Sequence, residues 1–253
     1  MSAQTVEPFG RVLIFDLWGD YGLFKRFYTT ASPLSFAVPP PSALAGILGA
    51  IVGAGKQSYM REFGPDQCRM ALRLVNPLKK TRLGLNWVNT SGETDPYFRS
   101  GTVAAHNPVK VELLKDPRYR LYVSLGDPAL QTRLGNLLRT GQCVYTVSLG
   151  PANLLASFGF VGEGSLTRRP DGAYVLATIT PIAKVRWPPD GGGISFQEGQ
   201  RFVRERLPRR METDRRVTEY VEVIVETAGN SFTADVVDAY GVGDETDETI
   251  VFL

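Results

Sequence analysis

One histidine, His106, stands among the 253 residues, and it bounds the acid–base chemistry open to the chain. Any Ser-His-Asp arrangement would have to use it. A site with several histidine ligands is excluded, and one His with two distant cysteines, Cys68 and Cys143, excludes a structural zinc site of the usual four-ligand kind. No metal or other cofactor is therefore expected. Gly53-Ala54-Gly55-Lys56 lacks the spacing with which a glycine-rich loop cradles phosphates. What the sequence offers instead is cations interleaved with rings. Trp18, Tyr21, Phe24, Phe27 and Tyr28 surround Lys25 and Arg26, while Trp87, Tyr97 and Phe98 accompany Lys79, Lys80, Arg82, Arg99 and Lys110. Rings stack bases and cations pair phosphates, each stacked base contributing about 1–3 kcal/mol. Phe24 and Phe27 are read as core. Lys25, Arg26, Lys79, Lys80 and Arg82 are read as facing solvent or phosphate, because bare charge is rarely buried.

The formal net charge is only +2, but it is unevenly spread. Residues 1–227 hold all 28 Lys and Arg and 20 of the 26 acids; Asp235, Asp238, Asp244, Glu245, Asp247 and Glu248 follow. Residues 201–216 carry seven arginines against three acids, and Arg209, Arg210, Arg215 and Arg216 are candidates there for contact with RNA, DNA or another subunit. A basic body with an acidic tail suits a polyanion partner. With 43% hydrophobic residues the composition is that of a globular protein and excludes a disordered chain or a disulfide-stapled mini-protein. Two cysteines fit a reducing compartment. Residues 1–10 show no basic region followed by an apolar run, and the apolar stretch 43–54, broken by three glycines, is too short to span a bilayer. A cytoplasmic protein without membrane contact is expected.

These residues need a scaffold. Residues 11–18 read as a mostly buried strand, and a helix runs over about 43–52, with Ser42 at its N-cap or first turn after three prolines. Gly46, Gly49 and Gly53 line one face of that helix, which suggests tight packing or a polyanion backbone lying against the helix start. Residues 68–75 make a second strand. Residues 79–110 have no helical period and read as a long protruding hairpin returning over 109–114. Residues 119–125 form a strand; Asp127 caps a helix with Pro128 in its first turn, an apolar face of Leu130, Leu134, Leu137 and Leu138, and Gly141 at its end. Residues 143–147 read as the next strand. The order β–α–β, arm, β–α–β is that of a ferredoxin-like split βαβ domain of the α+β class. The expected division is an RNA-binding domain at 1–150, its thumb at about 77–112, and a β-rich region at 151–253 with strands at 175–180, 182–186, 218–226 and 231–238.

The stretch FDLWGDYGLFKRFYTT at 15–30, with SPLSF at 32–36 and PPPSALAGILGA at 39–50, resembles the N-terminal signature of the CRISPR-associated Cas five family, most closely its type I-B branch. VKVELL at 109–114, YRLYV at 119–123, YTVSLG at 145–150, RLP at 206–208 and RRVTEY at 215–220 follow in the same order. The resemblance implies a ferredoxin-like core with a thumb hairpin, of the RAMP kind. It implies a subunit that caps one end of a Cascade surveillance complex, grips the 5′ handle of the guide RNA, and packs on the backbone subunit Cas seven and the large subunit Cas eight, near the PAM of the target DNA. Most type I relatives are not catalytic. In the I-C branch the family member cleaves precursor RNA without metal, using Tyr, Lys and His, and His106 and Lys110 with Tyr97 or Tyr119 are the residues here that this alternative would use. The resemblance places the thumb at 79–110 and the Pro-Pro-Pro-Ser turn and glycine-faced helix beside the handle.

Overall fold

A computed structural model describes residues 9–26, 32–88, 106–243 and 248–253, with the main chain alone at 87, 88, 106 and 107. The architecture is α+β, mostly strands with few helices. Strand β1 (Arg11–Trp18) lies inside it. Its period of two sends Leu13, Phe15 and Leu17 to one side, all but fully buried, and Asp16 and Trp18 to the other. It pairs antiparallel with β6 (Arg118–Leu125) and with β7 (Ser157–Arg168), and β6 pairs antiparallel with β3 (Cys68–Leu74). Helix α1 (Pro41–Val52), with the short α2 (Tyr59–Phe63) behind it, lies between β1 and β3 in the chain; α3 (Pro128–Thr140) lies between β6 and β7. Leu44, Leu48 and Ile51 of α1 and Leu134 and Leu138 of α3 share one apolar core with Leu13, Phe15 and Leu17.

Between β3 and β6 the chain makes a hairpin, β4 (Lys80–Val88) and β5 (His106–Lys115), extended at one edge by β2 (Tyr21–Gly22) into a sheet of its own. Its two faces differ. Leu85, Val109, Val111 and Leu113 pack with Leu23, Tyr21 and Leu154, while Lys80, Arg82, Lys110 and Glu112 share the opposite face by register. The expected arm is thus a strand pair, with a longer return than 109–114.

The C-terminal strands extend the main sheet to nine, in the order β10-β13-β8-β15-β14-β7-β1-β6-β3. Its added members are β8 (Gly172–Leu176), β10 (Ile194–Ser195), β13 (Phe232–Val236), β14 (Ala239–Val242) and β15 (Glu248–Val251). A third sheet pairs β11 (Phe202–Met211) with β12 (Val217–Glu226) and β9 (Thr180–Pro181).

Several expectations need correcting. Residues 143–147 are not a strand: Val144 N–H and Tyr145 N–H donate to the carbonyls of Ile51 and Ala50, at 3.0 Å each, so this segment satisfies the open end of α1. The fourth strand beside β1 is β7 instead. Residues 182–186 hold a 3-10 turn, Ile182–Lys184, rather than a strand. Of the two positions expected for Ser42 it takes the first turn, and Pro40 is the N-cap. The acidic end is not a free tail. Asp235 pairs with Arg186, Asp238 with Lys184, and Glu248 with Arg73, so its acids neutralise the body's bases; residues 244–247 lie outside the described residues. Gly49 and Gly53 serve packing. A Cβ at Gly49 would stand 2.8 Å from Tyr59 Cβ, and one at Gly53 2.8 Å from Val144.

Helix α3 ends where its sequence says. Asp127 Oδ1 accepts from the N–H of Ala129 at 2.8 Å and of Leu130 at 3.4 Å, and Gly141 closes the helix at φ 66°. Asp127→Ala is expected to lower stability by about 1 kcal/mol in urea unfolding, and Asp127→Asn by much less.

Candidate nucleic-acid interface

Of the basic residues chosen from sequence, Lys25, Arg26, Lys79 and Lys80 meet at the root of the β4–β5 hairpin, and Lys110 lies further along it. Lys25 bridges Ser35 in the main chain. The Ser35 carbonyl accepts from Arg26 Nε at 3.2 Å and from Lys80 Nζ at 3.0 Å. Lys115 N–H donates to the Lys79 carbonyl at 2.9 Å, which sets those two lysines side by side. Lys25, Lys79, Lys110 and Lys115 are exposed and make no ion pair among the described residues. Lys115 is an addition to the set chosen from sequence; its position at the end of a strand carried no signal that it would join the others.

The remaining cations divide by burial. Lys80 Nζ lies 2.9 Å and Arg82 Nη2 3.8 Å from Glu112. Arg82 is well exposed, and such a pair is worth less than about 1 kcal/mol, so a phosphate competes for it easily. Arg26 is different. Its Nη2 lies 2.5 Å from Glu205 Oε1, and Glu205 is buried. Withdrawing Arg26 would leave an uncompensated buried carboxylate, at a cost of about 3–5 kcal/mol. Arg26 therefore belongs to the scaffold of the interface rather than to its contact face. Phe24 is buried, as expected.

Trp18, at the end of β1, is 36% exposed. Arg118 stacks over its ring at 5.2 Å from the centroid. Arg118 Nη2 and Arg120 Nε also donate to the buried Asp16, at 2.9 and 2.8 Å. Burial works to raise the Asp16 pKa, but the two guanidinium partners outweigh it and hold the carboxyl below its ordinary 3.8. Neither arginine was chosen from sequence; the charge of Asp16 in a buried strand, with Arg118 and Arg120 at alternating positions, was the available signal.

Ser42 and Gly46 line a cleft of about 440 Å³ with Phe24, Tyr59, Ser148 and Arg215. Arg209 and Arg210 are tied down, the first to Glu219 and the second by two bonds of 2.8 and 2.7 Å to Asp66. Arg216 is exposed, 3.9 Å from Asp214. Tyr28, Tyr97 and Arg99 lie outside the described residues, as do the side chains of Trp87 and His106.

The family model described as CRISPR-associated protein (Cas_Cas5) matches residues 12–226, from β1 through β12. The chain belongs to this family. Its fold is similar to that of a CRISPR protein from Archaeoglobus fulgidus, with 16% identity, a TM-score of 0.54, and 96% of this chain and 98% of that chain covered. It is also similar to a chain of a CRISPR RNA-guided surveillance complex, with 14% identity, a TM-score of 0.50, and 90% and 91% covered. No curated protein matches. Among the described residues, no helix of this Cas five family member is long and apolar enough to cross a membrane.

Within the family, the cleavage alternative calls on His106 with Lys110 and either Tyr97 or Tyr119. Tyr119 is buried in the main core, and burial pushes its phenol well above the ordinary range, whereas Lys110 is exposed on the hairpin. A proton-transfer pair needs both groups within reach of one substrate. Tyr119 is enclosed and out of substrate reach, which leaves Tyr97, outside the described residues, as the other helper that reading named.

Asp16 gives a prediction with a defined sign. Because its folded-state pKa is depressed, its stabilising effect is whole above about pH 4 and is lost as pH falls through the folded value. Asp16→Asn is expected to cost about 2 kcal/mol in urea unfolding at pH 7, with the difference from wild type shrinking toward pH 3.

Proposed function

We propose that this chain is a non-catalytic subunit of a type I, I-B-like CRISPR Cascade complex that holds the 5′ handle of the guide RNA along the hairpin root. The observation that carries the reading is the set of exposed lysines about the hairpin that make no ion pair among the described residues: Lys25 at the Ser35 bridge, Lys79 and Lys115 side by side at its base, and Lys110 further along on the same face as the weakly held Arg82. Single-stranded RNA is held by such tracks of phosphate-pairing cations with rings nearby, and Trp18 is exposed to serve as one. In this reading β1–α1–β3 and β6–α3–β7, in the sheet order β7-β1-β6-β3, form a ferredoxin-like split βαβ unit and the β4–β5 hairpin is its thumb. Residues 1–150 form the RNA-binding domain, with β7 returning to it from the β-rich region 151–253. The backbone subunit Cas seven and the large subunit Cas eight are the proposed protein partners, with target DNA met near the PAM through the complex. Cys68 and Cys143 are both free thiols, which suits a cytoplasmic location.

The test is binding in the assembled complex. An RNA with the cognate handle is expected to be preferred over a scrambled one, and equal affinity would overturn the reading. In the purified chain, replacing Lys25, Lys79 and Lys110 together by alanine should weaken RNA binding and make the slope of log affinity against log salt shallower by about 2. Precursor RNA incubated with the chain in EDTA should remain intact, and cleavage lost on His106→Ala would favour the ribonuclease instead.

A further inference from the structure

We propose that the half of the main-sheet face left uncovered among the described residues holds an unpaired base of the bound RNA, laid on the stack that Arg118 makes over Trp18; this rests on the RNA-holding reading above. The register defines the face. Asp16 of β1 stands opposite Arg120 of β6 and Gly159 of β7, and Arg120 stands opposite Arg73 of β3. In the next row on that side, Trp18 stands opposite Arg118 and Ser157. Residues opposite each other on antiparallel strands share a face. Further along the same strands, Val12, Ala71 and Tyr122 are covered by Val242, Ile250 and Phe252. At the border Glu248 accepts from Tyr122 Oη at 2.6 Å and from Arg73 Nη1 at 3.1 Å.

Charge is layered on the uncovered half. Arg118, Arg73 and Arg120 keep 45%, 34% and 30% of their side chains exposed, whereas Asp16 keeps 5%. One guanidinium would neutralise Asp16, and it receives two, from Arg118 Nη2 at 2.9 Å and Arg120 Nε at 2.8 Å. With Arg73 and Glu248 counted, three cations meet two carboxylates. A guanidinium has five N–H donors, and among the described residues Arg118 and Arg73 each commit one to an acid. Asp20 and Asp116 belong to the adjoining turn, where Asp116 N–H donates to the Asp20 carbonyl at 2.8 Å.

Shape agrees with charge. The Trp18 ring is seated against Gly159, where a Cβ would stand 3.3 Å from it, and the Arg118 guanidinium lies over the ring. The outer member of this stack is thus a planar cation, the most exposed of the three arginines. Unpaired bases stack on guanidinium planes as well as on rings, so a base laid on Arg118 extends the stack. Arg73, diagonal to Arg118 across the sheet, is placed for the phosphate beside that base. Lys115 of the hairpin root precedes Arg118 by three residues, at most about 11 Å along the chain, so one RNA strand reaches both.

The test compares, on the full chain, an eight-nucleotide single-stranded RNA with the same octamer made abasic at its internal positions. Wild type should bind the base-bearing RNA at least about fivefold more tightly. Arg118→Lys keeps a charge beside Asp16 but removes the plane, so it should lose most of that preference with the slope of log affinity against log salt unchanged. Trp18→Leu should lose it too, while Trp18→Phe, which retains a ring, should keep it. Arg73→Gln should keep the preference and make the salt slope shallower by about 0.7. Thermal midpoints check folding, and if Trp18→Leu does not fold, Arg118→Lys and the wild-type comparison decide. No preference in wild type, or one undiminished in the folded variants of Arg118→Lys and Trp18→Leu, would overturn the proposal. If these variants bind both octamers as wild type does while the triple lysine variant is weakened, the sheet-face proposal falls and the RNA-holding reading stands. If the lysine variant also binds as wild type does, both fall.

Discussion

The buried carboxylate of Glu205 decides where the basic edge lies. It accepts from Arg26 and from the N–H of Ala37 at 3.3 Å, and so ties β11 to the chain entering α1. Arg26 then reaches the Ser35 carbonyl, which Lys80 also reaches from the root of the hairpin. The Ser35 hydroxyl accepts from Phe24 N–H at 3.1 Å, which fixes the wall shared by the hairpin root and the α1 cleft. One ion pair thereby links β11, the chain entering α1 and Lys80 at the hairpin root, which are far apart in sequence. A buried pair of this kind is worth little as net stability, but breaking it is costly, so it serves to fix one arrangement.

Charge is sorted the same way across the molecule. Four of the seven arginines of residues 201–216 lie on β11, and acids of β12 answer three of them: Arg204 meets Glu222, and Arg209 and Arg210 meet Glu219. The acids of the last strands answer Arg186, Lys184 and Arg73. Among the described residues, Lys25, Lys79, Lys110 and Lys115 around the hairpin make no ion pair, and neither do Arg215, Lys56, Arg61, Arg201 and Arg206 elsewhere on the surface. A net charge of +2 conceals this division between paired and unpaired cations.

Elements with strong local signals were legible in the sequence. The short β-rich run of β1, the proline entry to α1, the Asp127 and Gly141 ends of α3, and the aperiodic hairpin region all correspond to what is seen. The family match bears out the resemblance read from the N-terminal motif. The failures have physical causes. β7 carries three glycines, at 159, 162 and 164, and little continuous apolar surface, so it reads as a loop until β1 and β14 are there to pair with it. β11 holds four arginines and Pro208, where the register shifts, and neither feature signals a strand. Residues 143–147 have β-branched and aromatic side chains, yet their N–H groups are taken by the last turn of α1. At the interface, the lysines were legible as charge but Arg26 was not legible as scaffold, because its partner lies 179 residues away.

The most direct measurement is photocrosslinking in the assembled complex, with 4-thiouridine placed at successive positions of the guide 5′ segment and adducts mapped by mass spectrometry. The predicted result is adducts on peptides containing Lys79 to Arg82, Lys110 to Lys115 and Ser42 to Gly46. Adducts confined to other subunits, or to β8, β10 and β13 at the far end of the nine-stranded sheet, would contradict an RNA held at the hairpin root.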